Sequence, residues 1–303
     1  MNITNKSNLP EALVKLISPN KHNEPGKLSA TTLLKGVREI ILTDRHWDEM
    51  TDDVSDRIWA IFGTSVHAML KQEAPEEFTE EYLEFRFGGP LENFFLTGQV
   101  DNYNMATGII TDYKTASVWK WKFNDFRDWD IQGLIYAWLL RQNGFLVKGI
   151  RFVAFLKDFS ERDAQRDDGY PQSPAMIHET PMSYYDHLPG TAEGGIADYI
   201  LARFYQYKDS VTKTDEELPD CTDLETWAKP AKWAVMKDGR KSALKVCNTE
   251  EEAQQVVNDL GDQKGISIQY RPGERLKCER YCLAAPFCNT YKKYLSQKEA
   301  LEV

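Results

Sequence analysis

With 303 residues, 42% of them apolar and 12% aromatic, the chain has ample material for a core, which excludes a disordered polypeptide. Its formal net charge of -10 argues against binding nucleic acid through the whole-molecule field, so contacts with phosphates must come from local basic patches. No stretch approaches the ~20 apolar residues of a membrane helix, and the opening MNITNKSNLPEALVKL is polar and broken by Pro10, unlike a signal peptide; a soluble, cytoplasmic protein with no membrane association is expected.

Residues 1–25 read as a poorly ordered leader with one short helix. KLSATTLLKGVREIILT then begins a helix for which Ser29 suits the N-cap. DDVSDRIWAIFGTSVHAMLKQEAP continues helically, with Ile58, Ile61, Val66, Met69 and Leu70 forming an apolar stripe and His67 carried along it. EEYLEFRFGG alternates like a strand. ENFFLTGQVDNYN and IITDYKTA follow, separated by MATG, whose glycine suits a tight turn, so three strands form a meander. Alternation of side chains places Asp112 and Lys114 on one side of the last strand and Tyr113 on the other.

NDFRDWDIQGLIYAWLLRQNG has helical periodicity, stops at Gly144 and presents Gln132 and Tyr136 one turn apart. LVKGIRFVAFLKDFS is a buried strand, and a helix between two strands of one sheet predicts a right-handed crossover. The charged ERDAQRDDGYPQSP predicts a surface loop, AMIHETPMS a short strand and IADYILARFYQYKD a helix. From about Glu216 the character changes. KWAVMKDGRKSALKV is a second hairpin with an Asp-Gly turn, TEEEAQQVVNDL an acid-capped helix, and a cysteine-rich end follows. The expected fold class is α/β, a central mixed sheet flanked by helices. The organisation is a leader over 1–25, a core over 26–212 and a C-terminal lobe over 213–303.

Two carboxylates converging at strand ends, backed by an acid from the preceding strand, suit Mg²⁺ or Mn²⁺, which prefer oxygen ligands. A lysine two residues on can orient a water or stabilise charge growing on a phosphate, and together these parts suit phosphodiester hydrolysis. Taken alone, D-x-K is a short motif that also suits an exposed, chemically idle ion network. Five cysteines without a secretory signal argue against a disulfide framework. Cys278, Cys282 and Cys288 are spaced C-x3-C-x5-C, with Cys221 and Cys247 upstream, which suits soft-metal ligation.

The order GTSVH, an acidic strand, GQVD, DYKTAS and a helix with QGLIY resembles the RecB-type and phage-exonuclease branch of the PD-(D/E)xK nucleases. There G-x-x-x-H, G-x-x-D, (D/E)-x-K and Q-x-x-x-Y motifs follow one another, and all four occur here from Gly63 to Tyr136. The resemblance implies a restriction-endonuclease-like core and a metal-dependent DNase. Carried over, it makes Asp101 and Asp112 metal ligands, with the Tyr113 carbonyl as another, and gives Lys114 the positioning of the attacking water. It makes His67 a further ligand or outer contact, and Gln132 and Tyr136 groups that orient the lysine and touch the DNA backbone. Of the acids in EEYLEFRF, Glu84 is preferred to Glu81 as the one nearest the metal.

Many members of this branch also hold a [4Fe-4S] cluster through three clustered C-terminal cysteines and one remote one. The same resemblance makes Cys278, Cys282 and Cys288 ligands, although the first gap here is x3 where x2 is common. No cysteine precedes Cys221, so the fourth ligand would be Cys221 or Cys247, with Cys221 favoured by its turn-rich setting LPDCTD. Structural Zn²⁺ on the same four thiolates is the competing reading. The basic hairpin, with Lys229, Lys232, Lys237, Arg240, Lys241 and Lys245, could contact phosphates, and Trp119, Trp121, Trp227 and Trp233 flank lysines in a manner suited to single-stranded DNA. The expected partner is DNA at ends or single-stranded regions, with a recombination or replication protein as a further possibility by family analogy. A catalytically inactive nuclease-fold module, binding DNA or serving structure, is the alternative.

Overall fold

The computed structural model describes residues 1–17, 24–72, 78–190, 194–261 and 263–302, so 18–23 of the expected leader lie outside the described residues. The chain divides into two compact units, Met1–Val37 with Trp47–Thr212, and Arg38–His46 with Lys213–Val303. Among the described residues no helix is long and apolar enough to cross a membrane.

The first unit opens with β1 (Asn2–Thr4), α1 (Glu11–Leu16), β2 (Lys27–Ser29) and α2 (Ala30–Leu33), after which α3 (Val37–Arg45) leads into the second unit. The beginning of the expected leader is built into the fold, because β1 pairs in parallel with β3 (Thr51–Asp53). Ser29 does cap a helix, its hydroxyl accepting the Thr32 amide at 3.1 Å, but that helix lasts one turn instead of running on into α3. Arg203 accounts for the break. Its guanidinium donates to the carbonyls of Leu33 and Lys35, taking up acceptors that a continuing helix would use.

α4 (Val54–Gln72) precedes the meander β4 (Phe78–Arg86), β5 (Phe95–Asn104) and β6 (Ile109–Ala116), whose turn residue Gly108 has φ +74°, a left-handed geometry that favours glycine. α5 (Val118–Lys122), α6 (Arg127–Gln142), β7 (Gly149–Leu156), a one-turn α7 (Glu161–Ala164) in the expected loop, β8 (Ala175–Glu179) and α8 (Ile196–Ser210) complete the unit. The sheet runs β2-β5-β6-β7-β8, with β4 also paired to β5. β6–β7 and β2–β5 are parallel, and the pairs β4–β5, β5–β6 and β7–β8 are antiparallel, so the sheet is mixed.

α6 is buried continuously from Trp129 to Leu140, all the way round, as befits a helix enclosed by its neighbours and not lying on a surface. Two glycines allow it to sit close to the sheet. A Cβ on Gly133 would meet Ile150 at 2.6 Å, and one on Gly98 of β5 would meet Leu139 at 2.7 Å and the Tyr136 ring at 3.1 Å. α4 lies against β6 on the opposite face, where Gly63 approaches Thr115. Of its predicted stripe, Met69 is exposed.

The second unit joins Arg38–His46, most of it α3, to α9 (Asp223–Thr226), β9 (Ala228–Lys229), β10 (Lys232–Lys237), β11 (Lys245–Cys247), α10 (Glu250–Asp259), β12 (Ile266–Arg271), β13 (Glu274–Arg275), α11 (Leu276–Arg280) and α12 (Asn289–Glu302). The expected basic hairpin is the β10–β11 pair, extended by β12 into a three-stranded sheet over Val235, Cys247 and Ala253. Arg38, buried, donates to the carbonyls of Asp215, Leu218 and Pro219 and so fastens α3 to that segment.

Candidate active site

The β5–β6 hairpin is paired only near its turn, from Asn102–Thr111 to Asn104–Ile109. Beyond Thr111, β6 stays in register with β7 as far as Ala116, while β5 pairs with β2 at its other end. The two strands part where Asp101, Asp112 and Lys114 stand.

On β6, Asp112 is buried, and Lys114 Nζ lies 2.6 Å from its Oδ1. Oδ1 is enclosed, and Lys114 is its partner. Burial raises the Asp112 carboxyl to about 6, with the nearby charge of Asp101 pushing the same way and Lys114 opposing. On β5, Asp101 Oδ2 accepts the Tyr113 amide at 3.0 Å, and its Oδ1 lies 3.1 Å from His67 Nδ1 on α4. The hydrogen bond to Asp101 raises the His67 pKa against the effect of burial. Three elements thus bring together His67, Asp101, Asp112, Tyr113 and Lys114.

Glu84 is not brought to this place. Its partner on β5 is Thr97, four residues or ~13 Å along the strand from Asp101, and its carboxylate pairs with Lys27 at 3.2 Å. Strand register, which a single sequence does not reveal, decides this. The side chain of Glu81 lies outside the described residues.

Gln132 and Tyr136 are both buried, and the Gln132 amide donates to the Tyr136 hydroxyl at 2.8 Å. Burial also raises the Tyr136 phenol. Groups so enclosed support the sheet beneath the acids; the expected touch on a DNA backbone would need an exposed side chain.

Two carboxylates, one of them enclosed with Lys114 against its Oδ1, supply the hard oxygen donors that a divalent cation takes. Among the described residues no three His, Cys, Asp or Glu side chains are grouped to hold a metal by themselves. Mg²⁺ does not require this, since it uses one or two carboxylates and completes its shell with water and substrate phosphate.

In the second unit, Cys221, Cys278, Cys282 and Cys288 line one small space beside Glu39 and Lys277. Cys247 is elsewhere, in the hairpin core. Burial pushes the Cys221 and Cys282 thiols to about 12 and raises Cys278 as well, so without a metal these remain protonated at neutral pH. Thiols are the donor type that iron-sulfur clusters and Zn²⁺ use, but among the described residues these four, like the acids above, are not grouped closely enough to hold a metal as they stand.

Of the tryptophans singled out, Trp121 packs on Phe126 and Trp129, and Trp233 packs on the hairpin core, while Trp119 and Trp227 are exposed. Exposed Trp59 and Phe62 on α4 escape a reading by apolar periodicity. The signal available was the spacing of Trp59, Gly63 and His67 four residues apart.

A family model described as the PD-(D/E)XK nuclease superfamily matches residues 22–289. No curated protein matches the chain. Among solved structures, the crystal structure of SSO0001 is similar at 15% identity over 71% of this chain and 87% of that one, with a TM-score of 0.46.

Proposed function

The chain belongs to the PD-(D/E)XK nuclease superfamily, and from that premise we propose that it is a Mg²⁺- or Mn²⁺-dependent deoxyribonuclease, an exonuclease acting on DNA ends in recombination, replication or repair. The observation that carries this reading is the parting of β5 and β6 around the buried Asp112, with Lys114 against its Oδ1 and Asp101 nearby.

Asp101 and Asp112 would hold the cation, with the Tyr113 carbonyl as a further oxygen. When bound, it supplies charge neutralisation at the phosphate and a more acidic attacking water. Lys114 places an ammonium where it can donate to that water and to a phosphoryl oxygen gaining charge. His67 fixes Asp101 from one side and the Tyr113 amide fixes it from the other, so the carboxylate is oriented before substrate arrives. Gln132 and Tyr136 act from below, keeping α6 seated under β5.

For the second unit, the reading is a [4Fe-4S] cluster held by Cys221, Cys278, Cys282 and Cys288, with Zn²⁺ as its competitor. What supports it is the shared space that these four thiols line and the exclusion of Cys247 from it.

Digestion of end-labelled linear single- and double-stranded DNA with Mg²⁺, Mn²⁺ or EDTA tests the proposal. Metal-dependent loss of label by the wild type, absent in Lys114→Ala, is the expected result. No cleavage by the wild type under any of these conditions would favour a DNA-binding module without activity.

A further inference from the structure

α4 carries Trp59, Gly63 and His67 at successive four-residue steps, one face of a helix lying along β6. His67 meets Asp101, Gly63 faces Thr115, and Trp59 lies under Lys157, whose Nζ is 4.7 Å from the ring centre. Lys157 in turn donates its backbone amide to Ala116 at the end of β6. The stripe therefore follows the catalytic strand outward, and Trp59 stands about 12 Å along the helix from His67.

Large aromatic surface is left open at this rim. Trp59 is 55% exposed and Phe62 45%, their rings edge-on at 6.2 Å. From α5, which begins two residues after Ala116, Trp119 is 54% and Phe123 73% exposed, stacked at 5.7 Å, and Lys122 lies 5.6 Å from the Trp119 ring. Single exposed apolar residues are ordinary on a protein surface. Two aromatic pairs, each with a lysine over a tryptophan face, continuous with the strand that carries Asp112 and Lys114, are a built surface. Lys122 also pairs with Asp167 at 2.8 Å, so in a chain of net charge -10 it is Lys157 over Trp59 that favours an anionic occupant.

We propose that Trp59 and Phe62, together with Trp119 and Phe123, form a stacking platform for the unpaired bases of single-stranded DNA running out of the catalytic groove, with Lys157 facing its phosphates. This rests on the nuclease reading of the hairpin and specifies its substrate as a single-stranded or frayed end. Aromatic faces accept any base, so the platform confers strand state and not sequence. A paired base has both faces stacked within the duplex and offers nothing to these rings.

The test is binding of fluorescein-labelled oligo-dT and of a blunt DNA hairpin in EDTA, followed by anisotropy, for the full chain and for Trp59→Ala, Trp119→Ala, the double variant and Trp59→Phe. Loss of oligo-dT affinity by about tenfold per tryptophan removed is expected. The hairpin should change less than about twofold, and Trp59→Phe should restore most of the loss. Melting temperatures equal to wild type would show that the variants fold. Equal oligo-dT affinity in the double variant would overturn the proposal, as would equal losses for hairpin and oligo-dT. So would a change confined to self-association of the protein. The two readings fail separately: metal-dependent cleavage with unaltered oligo-dT binding removes the platform alone, and tryptophan-dependent binding without cleavage removes the nuclease alone.

Discussion

Lys114 stands 2.6 Å from an enclosed carboxylate oxygen of Asp112, two residues away on the same strand. An exposed ion pair would relax onto water and contribute little. Here the carboxylate is desolvated, so charge is held at a cost to stability. Asp112→Asn is expected to remove Mg²⁺-dependent cleavage by at least about a hundredfold. The same change should make the metal-free protein more stable near pH 8, by up to about 3 kcal/mol, because burial outweighs the Lys114 attraction and holds the Asp112 carboxyl near 6. Lower activity with lower stability would instead mark Asp112 as a structural residue.

The titration of the site gives a pH prediction. The Asp112 carboxyl, at about 6, and the His67 ring, raised by Asp101, both bind protons more tightly in the metal-free fold than in the unfolded chain. Their contribution to stability is full below the unfolded pKa and is lost as pH rises through the folded values. A cation competes with those protons. The Mg²⁺-induced rise in melting temperature should therefore be small at about pH 5 and grow towards about pH 8. Asp112→Asn should flatten this profile, and a Mg²⁺ effect independent of pH in the wild type would count against cation binding at Asp112.

The glycines of the first two motifs should respond differently to alanine. At Gly98 a Cβ meets Leu139 at 2.7 Å and Tyr136 at 3.1 Å, so Gly98→Ala pushes α6 from the sheet at a cost of about 1–3 kcal/mol. At Gly63 the nearest atom is the Thr115 hydroxyl at 3.5 Å, an ordinary contact inside a helix. Gly63→Ala should be neutral or gain up to about 1 kcal/mol. Urea denaturation of both variants measures the contrast.

Cys282→Ser tests the second unit. Loss of the visible absorption of an iron-sulfur chromophore, or of stoichiometric zinc, should accompany easier proteolysis of residues 213–303, because metal binding there is folding energy. Cys247→Ser should leave metal content unchanged, since that thiol packs against Val235 and Ala253. Equal metal content in wild type and Cys282→Ser would remove Cys282 from the ligand set.

The meander, the buried strand after α6 and the α/β class were legible in the sequence because each rests on a local period of side chains, and the adjacency of Asp112 and Lys114 follows from two-residue alternation alone. The four spaced motifs from Gly63 to Tyr136 were legible for the same reason, as short patterns on single elements. What the tertiary structure decided was everything that depends on register and enclosure. Glu84, an acid on the neighbouring strand, is held beside Thr97 by the β4–β5 register and spends its charge on Lys27. Gln132 and Tyr136 share a helix face that is buried together with every other face of α6. Trp59 is invisible as a surface group until α4 is laid along β6. A local pattern names the side chains that share a face; only packing against distant elements determines whether that face meets water, a core or another charge.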